Sequence, residues 1–170
     1  MTKRPALFAT ATACLAVPGE YWECGVHRGK TAGALRTLLR GTGRTLRLFD
    51  TFAGRPAKGP YDTGPSLTTF ADTSLKAVQA RLPDAWIAWH VGRIPDTFAG
   101  LDDSRIAFAY VDLDLYASTR DALAFIRPRL QVGGAIVVDD YAWHLWPGVT
   151  RAIDELHLPV ERVGHQVILR

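Results

Sequence analysis

Five short apolar runs, each separated from the next by a stretch of helical periodicity or a turn-rich loop, dominate this chain. They are EYWECG (20–25), TLRLFD (45–50), WIAWHVG (86–92), RIAFAYVDLD (105–114) and GGAIVVDD (133–140). Helices are expected at 30–39, 74–81, 118–130 and 147–156, with Ser118 as the N-cap of the third. Near-continuous apolar strands that alternate with helices leave few options. Such strands bury both faces, so the sheet is parallel and helices cover it on either side. Right-handed crossovers then make it doubly wound. VERVG and QVILR, around Gly164, read as a closing β-hairpin that adds an antiparallel edge. A chain of 170 residues is expected to form one domain over 1–170. Within 1–18, TKRPALFATATACLAV reads as a short helix covering the sheet. The alternative is a secretory signal, but Thr10 and Thr12 dilute its apolar run.

In parallel sheets of this kind, ligands bind beyond the carboxyl ends of the strands. Acids collect there: Glu23, Asp50, Asp112, Asp114, Asp139 and Asp140. The first such end, ECGVHRGKT, looks like a phosphate-binding loop. A Walker loop needs four residues between its first Gly and the Gly-Lys-Thr, whereas Gly25 and Gly29 enclose three. Glu23 would also repel phosphate. A carboxylate there attracts an ammonium group instead, which suits the amino-acid tail of S-adenosylmethionine (SAM). Asp50, ending the second strand, is placed to accept from ribose hydroxyls. No close Gly-x-Gly pair serves a pyrophosphate, which disfavours a dinucleotide.

The fourth and fifth runs end in YVDLDLYAST and VVDDY. Adjacent strands would set Asp112 beside Asp139 and Asp140, and carboxylates that close repel unless protonated or bridged by a cation. Oxygen-only ligands select a hard divalent ion such as Mg²⁺. The two cysteines, Cys14 and Cys24, lack metal-type spacing and read as free thiols of a reducing, cytoplasmic setting. The net charge of +3 is spread without a like-charged run, so neither nucleic acid nor membrane is an expected partner.

The segments ECGVHRG, LFDTFAGRP, VGRIPDTF, VDLDLYAST and GGAIVVDDY, in this order over about 19–156, resemble the macrocin O-methyltransferase family. The resemblance implies a Rossmann-like class I SAM-dependent methyltransferase fold and Mg²⁺-assisted methylation of a sugar hydroxyl on a natural product. It implies metal ligation by Asp112, Asp139 and Asp140, with Asp114 as general base. Glu23 and Gly25 would face the methionine part of SAM, and Asp50 with Thr51 the ribose side. The chain departs from the family pattern in its shorter N-terminal segment and in His27, which precedes Arg-Gly where an aromatic is usual. Catechol-type methyltransferases carry Lys at the position of Leu115, which argues against that mechanism.

Tyr141, Trp143 and His144 follow the paired acids and are candidate acceptor contacts, by aromatic stacking on a small-molecule hydroxyl acceptor. His90 reads as a core residue of its strand. The Gly/Pro-rich stretch 53–65, with Tyr61 and Asp62, is long enough to act as a lid. Three alternatives stay open: methylation of a phenolic hydroxyl, a P-loop-like nucleotide binder, and a non-catalytic SAM-fold partner protein. A homodimer is an open alternative to a monomer.

Overall fold

Residues 5–64 and 70–170 are described by the structure, a computed structural model. Its centre is a seven-stranded sheet: β1 (Glu20–Cys24), β2 (Leu46–Asp50), β3 (Ile87–Val91), β4 (Ile106–Val111), β5 (Leu130–Val138), β6 (Glu161–Val163) and β7 (Gln166–Leu169). The order across the sheet is β3-β2-β1-β4-β5-β7-β6. Pairings among the first five strands are parallel; β7 runs antiparallel to both β5 and β6. The doubly wound, mostly parallel sheet with a terminal antiparallel hairpin is the expected architecture. The strand order reverses between β1 and β4, which opens a crevice at their carboxyl ends.

Alternate residues of each strand feed two cores. Tyr21, Leu46, Leu48, Phe108, Tyr110 and Val137 pack with α1 (Pro5–Ala13), α2 (Lys30–Leu39) and α3 (Leu75–Arg81). Trp22, Phe49, Ala109, Val111, Ile136 and Val138 pack with α4 (Tyr116–Ile126) and α5 (Pro147–Asp154) on the other face. Because both faces are covered, the strands carry no polar alternation. Helix α1 lies against β5 and β7, with Leu7 and Ala11 fully buried. The Tyr21 hydroxyl donates to the Ala11 carbonyl at 2.8 Å.

Several boundaries differ from expectation for identifiable reasons. Helix α4 begins at Tyr116, and Ser118 does not cap it. The Tyr116 N–H donates instead to Oδ1 of Asp62 at 2.8 Å, a cap supplied from 54 residues away. The helix gives way to a 3-10 turn at Arg127–Arg129, because Pro128 has no N–H to continue the ladder. β4 stops at Val111, so Asp112 and Asp114 lie in the following turn, where Asp114 has φ +62°.

The strand ends are knitted together by backbone. Asp112 N–H donates to the Cys24 carbonyl at 2.8 Å, and Gly25 N–H to the Phe49 carbonyl at 2.9 Å. Gly25 has φ +93°, and a Cβ there would lie 1.9 Å from the carbonyl oxygen of Asp112. Glycine is therefore required at 25 by the approach of the β4 turn, whatever ligand it faces.

Candidate active site

The crevice holds a cavity of about 890 Å³, and its lining includes Glu23, Gly25, Asp50, Thr51, Asp112, Asp114, Asp139, Asp140 and Trp143. Residues from four separate strand ends thus meet in one place. Tyr141 and His144 are not among the lining residues. Tyr141 turns to α5, where its hydroxyl donates to Asp154 at 2.8 Å, and His144 is exposed. Trp143 stacks on His165, which also lines the cavity, at 5.6 Å between ring centroids.

On the β1 side, Glu23 is 1% exposed. Asp50 binds backbone on both oxygens. Oδ2 accepts from the N–H groups of Val26 (2.7 Å) and His27 (2.8 Å), and Oδ1 from Phe52 N–H (2.7 Å). This acid clamps the turn after β1 to the end of β2. Thr51 closes the next turn, its hydroxyl donating to the Gly54 carbonyl at 2.6 Å.

On the β4–β5 side the acids face one another. Asp112, Asp114 and Asp140 each offer one oxygen within 4.8 Å of the others. Asp139 lies outside that trio; the Tyr110 hydroxyl donates to it at 2.6 Å and sits 3.1 Å from Asp112. Burial, followed by the charges of Asp112, Asp139 and Asp114, pushes the Asp140 carboxyl up to about 10. Burial also raises Asp114, to about 6, against the opposing influence of a hydrogen bond with Asp140 and of the Arg55 charge. The four acids form an oxygen-only cluster whose mutual repulsion a divalent cation would relieve.

The covering loop is anchored. Asp62 is 7% exposed; besides capping α4 it accepts from Gly59 N–H at 2.9 Å. Gly148 leaves room for it, since a Cβ there would lie 2.0 Å from Asp62 Oδ1. Tyr61 packs edge-on against Tyr116, and Arg151 sits over Tyr61. Within the stretch expected as a lid, these contacts hold residues 59–62, while Pro65 lies outside the described residues. His90, expected in the core, is only half-buried; it stacks on Phe49 and lies 3.3 Å from Nη1 of Arg47. Tyr110 and Arg55 were not singled out by sequence. The only hint for Tyr110 was its place two residues before Asp112 in an otherwise apolar strand.

The family model described as macrocin-O-methyltransferase (TylF) matches residues 8–162. The chain belongs to the macrocin O-methyltransferase family. It is 35% identical over 141 residues to the 8-demethyl-8-(2,3-dimethoxy-alpha-L-rhamnosyl)-tetracenomycin-C 4'-O-methyltransferase of Streptomyces olivaceus, covering 74% of this chain and 54% of that protein. It is 31% identical to demethyldecarbamoylnovobiocin O-methyltransferase of Streptomyces niveus, covering 82% of this chain and 58% of that one. The chain therefore spans little more than half the length of these relatives. Among solved structures, it is similar over its whole length to 79% of CalS11, a calicheamicin methyltransferase, with a TM-score of 0.84 and 27% identity. The apo form of CalS11, named a TDP-rhamnose 3'-O-methyltransferase, has a TM-score of 0.73 at 25% identity, with the same coverage. The fold is that of class I SAM-dependent methyltransferases. No helix among the described residues is long and apolar enough to cross a membrane.

Proposed function

We propose that this chain is a SAM-dependent, Mg²⁺-assisted O-methyltransferase whose acceptor is a hydroxyl of a small molecule, a sugar of natural-product metabolism. The observation that carries the reading is the meeting, in one cavity, of a buried strand-end Glu23 with the Asp112, Asp114, Asp139 and Asp140 cluster. Relatives named for methylation of a rhamnosyl tetracenomycin and of TDP-rhamnose support the sugar acceptor class. The two free, buried cysteines support a cytoplasmic setting.

Glu23 is placed to accept from the ammonium group of SAM, and the turn at Gly25 to follow its methionine part. Asp50 holds that turn in shape and lies on the ribose side with Thr51. For the metal, Asp112 and Asp140 form the core of the set, with Asp139 held toward them by Tyr110. A divalent cation bound there would neutralise the cluster and favour ionisation of an acceptor hydroxyl. Asp114 accepts the proton of that hydroxyl as its oxygen takes the methyl group, leaving S-adenosylhomocysteine (SAH). A carboxyl raised by burial toward neutrality is a stronger base than an exposed one.

Calorimetry with SAH and with ATP, followed by methyl transfer from labelled SAM to rhamnosylated acceptors with and without EDTA, tests the reading. SAH should bind in EDTA and ATP should not. Glu23→Ala should weaken SAH by roughly 1–2 kcal/mol, the value of a charge-assisted hydrogen bond. Turnover should vanish in EDTA and return with Mg²⁺. Absence of SAH binding would end the methyltransferase reading, and full turnover in EDTA would end the metal's part in it. Light scattering distinguishes a homodimer from a monomer.

A further inference from the structure

Among the described residues, three Arg or Lys side chains line the cavity: Arg28, Lys30 and Arg55. Arg28 pairs with Asp72, and Lys30 is exposed at the start of α2. Arg55 has no carboxylate pair among the described residues. Its guanidinium carbon lies 4.5 Å from the ring centroid of Trp146 and 6.0 Å from that of Phe70. Its Nη1 is sealed from solvent and has no hydrogen-bond partner among the described residues. The loop that carries it is held in place by Asp62, through the α4 cap and the contact with Gly148. Arg55 is therefore a fixed cation in the cavity wall.

Charged side chains on a partly buried wall are almost always paired, and Arg55, which lines the cavity without a carboxylate pair among the described residues, is left to meet an anion there. Stacking on an indole restrains the guanidinium plane and leaves its edge as a fork of donors. That fork matches the oxygens of a phosphate or a carboxylate, and the pairing gains strength where water is excluded. The carboxylates of the cavity cluster at the strand ends, whereas Arg55 sits on the covering loop, so the cavity has an anionic floor and a cationic wall.

We infer that Arg55 recognises an oxyanion carried by the acceptor, a phosphate or a carboxylate group on the same molecule as the hydroxyl that faces the acids. This rests on the reading of the cavity as a methyl-transfer site and specifies its substrate class: an anionic sugar derivative rather than a neutral glycoside. A phosphate source would mean a nucleotide-linked sugar. Methylation would then come before the reaction that transfers the sugar and releases the nucleotide. A carboxylate source would mean a sugar acid.

The test is calorimetry on the Mg²⁺-loaded wild-type protein, Arg55→Met and Arg55→Lys, each with and without SAH. The probes are TDP-rhamnose, galacturonate and neutral methyl α-L-rhamnoside. At least one anion should bind the wild type more tightly than the neutral glycoside does. Its affinity should fall about tenfold or more in Arg55→Met, as expected for a lost hydrogen bond to a charged group, and recover in part in Arg55→Lys. TDP-rhamnose binding alone assigns the phosphate source, and galacturonate binding alone the carboxylate. SAH affinity, steady within twofold across the three proteins, serves as the folding control. The inference is overturned if neither anion binds the wild type, if the neutral glycoside binds as well as the anions, or if Arg55→Met binds them like wild type. Failure of SAH to bind would sink the methyltransferase reading instead, while the anion arms still report on Arg55.

Discussion

Asp50 and Asp140 lie at the carboxyl ends of parallel strands in one sheet and line one cavity, yet their surroundings are opposite. Asp50 is held by three backbone N–H groups at 2.7–2.8 Å, which tie two strand ends together. Asp140 is buried among other carboxyls that oppose its charge. Position at a strand end brings an acid to the site. Whether that acid holds the fold or serves chemistry depends on the donors around it.

The contrast can be broken most sharply at Asp114 and Asp139. Asp114→Asn should keep its affinity for metal and SAH while kcat falls by roughly 10²–10⁴, the range for a lost general base. Asp139→Asn should instead lose metal affinity. Metal titration and single-turnover rates on both variants decide the matter; loss of metal by Asp114→Asn, with retention by Asp139→Asn, would exchange the two roles.

Next in size is the structural acid. Asp50→Ala strands the N–H groups of Val26, His27 and Phe52, and should destabilise the protein by about 2–3 kcal/mol in chemical denaturation. An unchanged midpoint would remove the distinction drawn above. Asp140→Asn should do the reverse, making the metal-free protein about 1 kcal/mol more stable at pH 7, because folding no longer has to protonate an acid that is ionised in the unfolded chain. Its φ of +68° is one that Asn tolerates well, so backbone strain should not mask the gain. A metal-free Asp140→Asn less stable than wild type would show the cluster to be self-supporting.

The smallest effect is expected at the other end of the sheet, where Glu20 is held by a two-pronged contact from Arg47, both bonds at 2.7 Å, and by the Trp22 indole at 2.9 Å. Partial burial pushes its carboxyl up, but Arg47 and Trp22 outweigh this and hold it below its ordinary value of 4.5. A carboxyl that titrates lower when folded contributes stability above its unfolded pKa and loses it as pH falls through the folded one. Glu20→Gln should therefore cost about 0.5–1 kcal/mol at pH 7, and the gap from wild type should close below about pH 4. A gap that persists at pH 3 would mean that shape, not charge, is what Arg47 reads.

Much of the architecture was legible because it is periodic. The runs at 20–25, 45–50 and 86–92 match β1, β2 and β3 within a residue, and α2 covers the predicted 30–39. Errors fell where long-range contacts override local preference. Ser118 carries a good N-cap signature, but Asp62 supplies the first-turn acceptor two residues earlier, and no local pattern encodes a partner 54 positions away. The site was legible as a set of acids at strand ends, since alternation of strands and helices predicts where those ends collect. The hydrogen-bond partners of each acid were not. Asp50 reads as a ribose acceptor in sequence, and no local pattern shows that it also accepts from Val26 and His27, which follow a different strand. The Tyr110 hydroxyl beside Asp139 is likewise a matter of register between β4 and β5.

The sequence by itself determined the doubly wound sheet, the family, and the acids that reach its carboxyl edge, because hydrophobic period and motif order are local and additive. Tertiary structure alone decided which acids are hydrogen-bonded by backbone and which are buried among other carboxyls. It also decided that a Gly/Pro-rich loop is pinned by Asp62 and that Arg55 stacks on Trp146 over the cavity. These outcomes depend on distances between residues far apart in the chain, and on burial that strengthens every charge interaction it encloses.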